Sequence, residues 1–212
     1  MRTMRGRNRK PGHQFDLSGG TLCLDFANTV SHRSATEKRI DHLVNYGDLV
    51  DFAEQSRLAS PALTRSLRAQ ASLKQGEAQS VCDKARSFRE TVYRTFSAIA
   101  AGKPVPHEDV KRIGDFALEA LNHRRLTGTD GDYRWEWQTD PGHFLDRVFW
   151  PVAQSAADLL TSRDRTAVRE CRAPDCEWLF LDHSRNGSRR WCDMKSCGNR
   201  EKARRHYQRT HR

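Results

Sequence analysis

The sequence predicts a mainly α protein: a multihelical N-terminal domain with a small β-hairpin or sheet, followed by a small C-terminal module built from a β-hairpin and a helix. Three observations predict it. Apolar residues recur at helical steps over much of the chain, most clearly at Val81, Ala85, Phe88, Val92, Phe96 and Ile99. The run Tyr133-Arg134-Trp135-Glu136-Trp137 alternates aromatic with charged residues, as a half-exposed strand does. Finally, Cys171 and Cys176 followed by Cys192 and Cys197 form two C-x4-C pairs, the pattern of a module stapled by a metal ion.

The elements follow in order. Residues 1–14 are a basic arm, expected to be disordered. In residues 22–26 apolar side chains fall at every second position, which predicts a short strand, although Leu22 and Phe26 would also share a helix face. A helix is expected over 48–58, and Ser60-Pro61 opens another, with serine as cap and proline in the first turn. The longest helix spans 77–101 and is ended by Gly102 and Pro104. A further helix covers 107–126, and a turn at 128–131 leads into the aromatic strand. Asp140-Pro141 is read as the cap of the last long helix, whose face is Phe144, Val148, Val152, Ala156 and Leu159, with a bend at Pro151. Apolar periodicity stops near Ser162 to Arg165, which divides the chain into 1–14, a helical domain 15–162 and a C-terminal module 163–212.

Four thiolates at the corners of a tetrahedron satisfy one zinc ion and leave no position for water, so the site is expected to be closed and structural. Between the pairs, Trp178-Leu179-Phe180-Leu181, a polar turn through Asn186-Gly187 and then Arg190-Trp191 predict a hairpin that folds the second pair onto the first. Disulfides are the competing reading. The basic first ten residues with no apolar stretch after them do not resemble an export signal, so a reducing cytoplasm and a metal are expected instead. Cys23 and Cys82 are expected to be core thiols. His183, His206 and His211 are alternative ligands, but each would leave a cysteine redundant.

These residues carry a resemblance. Pro174-Asp175-Cys176, Trp178-Leu179-Phe180-Leu181-Asp182, Ser184-Arg185-Asn186, Arg189-Arg190-Trp191-Cys192 and above all Cys197-Gly198-Asn199-Arg200 resemble the CGNR zinc finger of bacterial proteins. Gly19-Gly20, Leu22, Leu24-Asp25-Phe26, Asn28-Thr29, Tyr46, Asp48-Leu49 and Phe52-Ala53 are similar to the ABATE domain, a stress-induced transcription regulator domain. The two resemblances cover residues 15–207. They imply a zinc-dependent, DNA-binding transcription regulator. Leu24-Asp25 and Asn28 read equally well as a functional motif and as a capping and packing motif.

Charge agrees. The net charge is +10, yet residues 1–10 hold five basic and no acidic side chains and residues 185–212 hold ten basic and two acidic ones, so the middle is slightly negative. The positive field therefore sits where a polyanion could be gripped. A helix from 199 to about 208 carries Arg200, Lys202, Arg204, Arg205 and Arg209, which with Arg189 and Arg190 form the candidate nucleic-acid surface. Arg189 and Arg190 also suit a second role, compensating the negative charge of the thiolate site. Duplex DNA is the expected partner. The alternative is an RNA-binding or protein-interaction module. A homodimer and a small-molecule effector are further partners left to the helical domain. Catalysis is not expected: His42, His107, His123 and His143 are scattered, and Ser18-Gly19-Gly20-Thr21 lacks the lysine of a phosphate-cradling loop. A membrane-length apolar run is absent.

Overall fold

Residues 13–35, 37–138 and 142–210 are described by the structure, a computed structural model. Among them the chain runs α1 (Leu22–Ala27), β1 (Val30–Ser31), β2 (Ile40–Asp41), α2 (Tyr46–Gln55), α3 (Pro61–Leu73), α4 (Gln75–Ala100), α5 (His107–Asn122), β3 (Arg124–Thr129), β4 (Asp132–Trp137), α6 (Trp150–Thr161), β5 (Val168–Glu170), β6 (Leu179–Leu181) and α7 (Asn199–Thr210). Strands pair in order as three two-stranded antiparallel sheets. The expected basic arm lies, except for its last residues, outside the described residues, as does the Asp140-Pro141 cap. Among the described residues no helix is long and apolar enough to cross a membrane.

Helix α4 is the axis of the molecule. Val81, Ala85, Phe88, Val92 and Phe96 are buried as their spacing predicts, and α1, α2, α3 and α5 pack around it. Arg89 is also buried there, 2% exposed, and it closes a bidentate pair of 2.7 Å bonds on Asp41 of β2. A buried guanidinium needs such a partner, and the pair fastens the β1–β2 loop to the helix. Helix α3 starts as expected, with Ser60 Oγ accepting from Leu63 N and Pro61 in the first turn.

Three expectations are corrected. Residues 22–26 form α1, not a strand: Cys23, Leu24, Phe26 and Ala27 are all buried, so the run is apolar on nearly every side and its alternation carries no directional information. Helix α5 stops at Asn122, four residues short of the expected end, because the His123 ring stacks on Trp150 with centroids 4.0 Å apart and residues 124–129 are taken into β3. Helix α6 begins at Trp150, so Pro151 sits in its first turn, where no backbone bond is lost, and the expected bend does not arise.

Helix α1 and the residues beside it bind the C-terminal module. Asp25 Oδ1 accepts from Gly19 N at 2.7 Å, and a Cβ at Gly19 would lie 2.9 Å from that oxygen, so the close turn needs glycine. Burial pushes the Asp25 carboxyl up to about 7. Its unfolded value is about 3.9, so between those values the folded chain holds a proton that the unfolded chain has released. This contribution to stability is complete below about pH 4 and is lost as pH rises toward 7. Thermal melts across that range should slope in wild type and lose the slope in Asp25→Asn; equal slopes would acquit Asp25.

Candidate metal centre and basic surface

The module is built on a hairpin, but not the expected one. Leu179–Leu181 pairs with Val168–Glu170, which precedes Cys171, so both Cys171 and Cys176 lie in the hairpin's own loop. The polar segment after β6 does reverse the chain, with Gly187 at φ 57, yet residues 190–192 return as an irregular segment held by Arg172 N to Arg190 O. The cause is Asp182. Its carboxylate accepts from Ser184 N, Ser184 Oγ and Arg189 N, closing a side-chain-centred loop in place of a strand ladder.

Strand β6 alternates between two cores. Leu179 and Leu181 belong to the main apolar core, whereas Phe180 points the other way, into a small core of Cys171, Ala173, Cys176, Cys192 and Cys197 flanked by Trp178 and Trp191. Asn28 grips β6 at both of one residue's backbone groups: Oδ1 accepts from Leu179 N and Nδ2 donates to Leu179 O, each at 2.9 Å. Leu181 N donates to Gly19 O at 2.9 Å, and Trp178 Nε1 donates to Val30 O at 3.0 Å. The motif around Leu24-Asp25 and Asn28 is therefore a docking device for the module. No spacing rule could have found this, since the partners are about 150 residues apart.

The four cysteines predicted as ligands meet. Their sulfurs all lie within 4.8 Å of one another and are buried, with Cys176 to Cys192 at 3.5 Å and Cys192 to Cys197 at 3.6 Å. Zinc–sulfur bonds of about 2.3 Å require sulfur–sulfur edges of about 3.8 Å, so the donor set fits one structural zinc ion. Each ligand is set locally. Cys171 N donates to Trp178 O, Cys176 N closes a turn on Ala173 O, and Asp193 caps the tight turn Met194–Gly198 that carries Cys197 into α7. Four thiolates this close together and this buried repel one another. Bound zinc supplies the positive charge that lets all four be thiolates. The buried Cys23 and Cys82 stand apart as core thiols, their pKa values raised by burial to about 12 and about 11. Among the histidines, His211 lies outside the described residues and neither His183 nor His206 joins the cluster.

The basic residues divide by role. Arg189 lies 4.4 Å over the Phe180 ring and donates to the carbonyls of Trp191, Cys192, Leu181 and Ser18, so it is an internal bolt. Charge compensation falls to Arg200, whose Nη2 lies 3.0 Å from Cys197 Sγ, and not to Arg189. Arg190 is exposed, its guanidinium over the Trp191 ring. Helix α7 has no buried residue. Its Arg204 and Arg205 both pair with Glu201, at 3.0 and 3.1 Å, and Lys202 and Arg209 are exposed on the same helix.

Two family models match the chain. One, ABATE, described as "putative stress-induced transcription regulator", covers residues 20–163, and the other, the CGNR zinc finger, covers residues 167–210. No curated protein matches it.

Proposed function

The chain belongs to the ABATE family and carries a CGNR zinc finger in residues 167–210, and from that membership we propose that it is a transcription regulator binding duplex DNA through the surface its zinc site holds rigid. One observation carries the reading. Helix α7 buries none of its side chains, so packing does not explain it, and it offers Lys202, Arg204, Arg205 and Arg209 around its circumference. A helix of 12 residues is about 18 Å long and fits the major groove of B-form DNA, with cations available to phosphates on both sides.

The chain's own residues divide the work. Cys171, Cys176, Cys192 and Cys197 hold the ion, Arg200 neutralises part of the sulfur charge, and Asp193 sets the angle at which α7 leaves the centre. Four sulfur ligands make this a closed centre with a structural task. Arg204 and Arg205 exchange Glu201 for phosphate oxygens, releasing condensed counterions, so affinity falls steeply with salt. The helical domain is left for dimerisation or for an effector. A cleft of about 530 Å³ between α6, Trp137 of β4 and His183 of the finger is where an effector would bear on both parts.

Titrating a labelled duplex at several salt concentrations tests the reading. Replacing Arg204 and Arg205 with alanine should weaken binding and flatten the plot of log affinity against log salt by up to about two units, at nearly one per phosphate contact. Salt-insensitive binding, or preference for single-stranded RNA in competition, would overturn it.

A further inference from the structure

A second cationic feature lies on the finger, away from α7. A cleft of about 310 Å³ separates β5 from the loop that follows Asp182, and it is lined by Arg169, Arg172, Arg189 and Arg190 with a single acidic residue, Glu170. These arginines differ in freedom. Arg189 is committed to backbone carbonyls, as described above. Arg169 uses Nη1 on the carbonyls of Thr166 and Val168, at 2.8 and 2.9 Å, which leaves its Nη2 near the glycine turn at Gly187. Arg172 and Arg190 are exposed, and among the described residues neither guanidinium meets a carboxylate within ion-pair distance. Glu170, whose Oε2 accepts from Ser97 Oγ at 2.7 Å, keeps its charge and offsets one of the four, leaving the lining cationic.

Backbone geometry holds the two exposed arginines side by side. Arg172 N donates to Arg190 O at 2.9 Å, joining the first cysteine loop to the segment that leads into Cys192. Both segments are anchored by zinc ligands, at Cys171 and Cys192, so the spacing of the pair is fixed by the metal centre and not by flexible chain. Concentrating like charges in a concave site is unfavourable unless an anion completes it, and such a site focuses the field outward. The guanidinium fork matches tetrahedral oxyanions through paired N–H donors.

We propose that this cleft is a phosphate site, in which Arg169, Arg172 and Arg190 grip a backbone phosphate of the same duplex that α7 engages. The inference rests on the DNA-binding reading. Its commitment to a duplex phosphate comes from continuity: Arg172 adjoins Ala173, and Ala173 with Pro174 and Asp175 forms a depression shared with Arg200 and Arg204 of α7. The cleft and α7 therefore adjoin across the first cysteine loop, where Asp175 and Glu201 offset the charges of Arg200 and Arg204. Arg169 and Arg172 lie outside the C-terminal charge run and meet Arg190 only through the fold.

Full-length zinc-loaded protein tests this, with Arg172→Ala/Arg190→Ala and Arg204→Ala/Arg205→Ala compared against wild type on one labelled duplex over a salt series. The cleft variant should bind about tenfold or more weakly near 0.1 M salt and lose up to about two units of salt slope, while keeping one zinc by native mass spectrometry. If wild type binds with a steep slope and the cleft variant is indistinguishable from it, the phosphate site is refuted and the role of α7 stands. If wild type binds no duplex, the DNA reading fails and takes the cleft's assignment with it. A parallel titration of inorganic phosphate, followed on the arginine Hε signals, separates the sources. Saturation by free phosphate at low millimolar concentration or below, undisturbed by added duplex, would overturn the duplex assignment in favour of a small phosphorylated ligand.

Discussion

Replacement of Cys192 with serine, or removal of the metal with a chelator, is expected to unfold residues 182–210 and abolish nucleic-acid binding while α1 to α6 remain folded. Cys192 is fully buried at the centre of a cluster whose apolar members are few: Ala173 and Phe180, with Trp178 and Trp191 at the edge. That is too little burial to order the loop after β6 and α7, which has no buried residue. Binding of a structural zinc ion supplies apparent free energies of about 10–16 kcal/mol, and here that energy is coupled to folding of this segment. The boundary of the effect follows from β6, whose Leu179 and Leu181 are held in the main core. Hydrogen exchange should lose protection after residue 182 and keep it in α4. A metal-free Cys192→Ser protein with unchanged exchange in 182–210 would show that the sulfurs do not hold the module.

Asn28→Ala should be the most damaging single change in the helical domain that touches no metal ligand. It leaves the N–H and C=O of Leu179 without their partner in a place water does not reach. Each orphaned group costs about 1–3 kcal/mol, so the pair costs about 2–6 kcal/mol. In a chain of this size that lowers Tm by roughly 5–20 °C. Asn28→Asp discriminates the mechanism, since it keeps the acceptor for Leu179 N but sets a carboxylate against Leu179 O; it should be no better than alanine. A shift of under about 2 °C for both variants would mean that β6 does not depend on Asn28.

Legibility differed between parts of the chain for physical reasons. The long helix α4 was readable because it buries one face over many turns, so its period repeats often enough to be unambiguous. The aromatic strand β4 was readable from its alternation and the glycine turn before it, although Tyr133 and Trp135 are exposed and the strand buries no face. Helix α1 was not, since six residues buried nearly all round have no polar face to set a period. Pro151 was placed inside a helix because the cap ahead of it was sought at Asp140-Pro141, which is not among the described residues, whereas the helix begins at Trp150. The hairpin was assigned the wrong partner strand because turn chemistry at Asn186-Gly187 is local, while the choice of Val168–Glu170 over residues 190–192 depends on which segment can also bury Val168 in the main core.

The sequence by itself determined the metal site, the helical class and where positive charge accumulates, because thiol spacing, apolar period and net charge are properties of a chain segment and survive whatever packs around it. Tertiary structure alone decided that Arg189 is internal, that Arg200 answers the sulfur charge, and that Asn28 clamps Leu179. It also decided that Arg169 and Arg172 join Arg190 in one cleft. Those outcomes depend on which distant groups share a buried volume, where an unpaired charge or amide is costly and the nearest partner in space, not in sequence, settles what each side chain does.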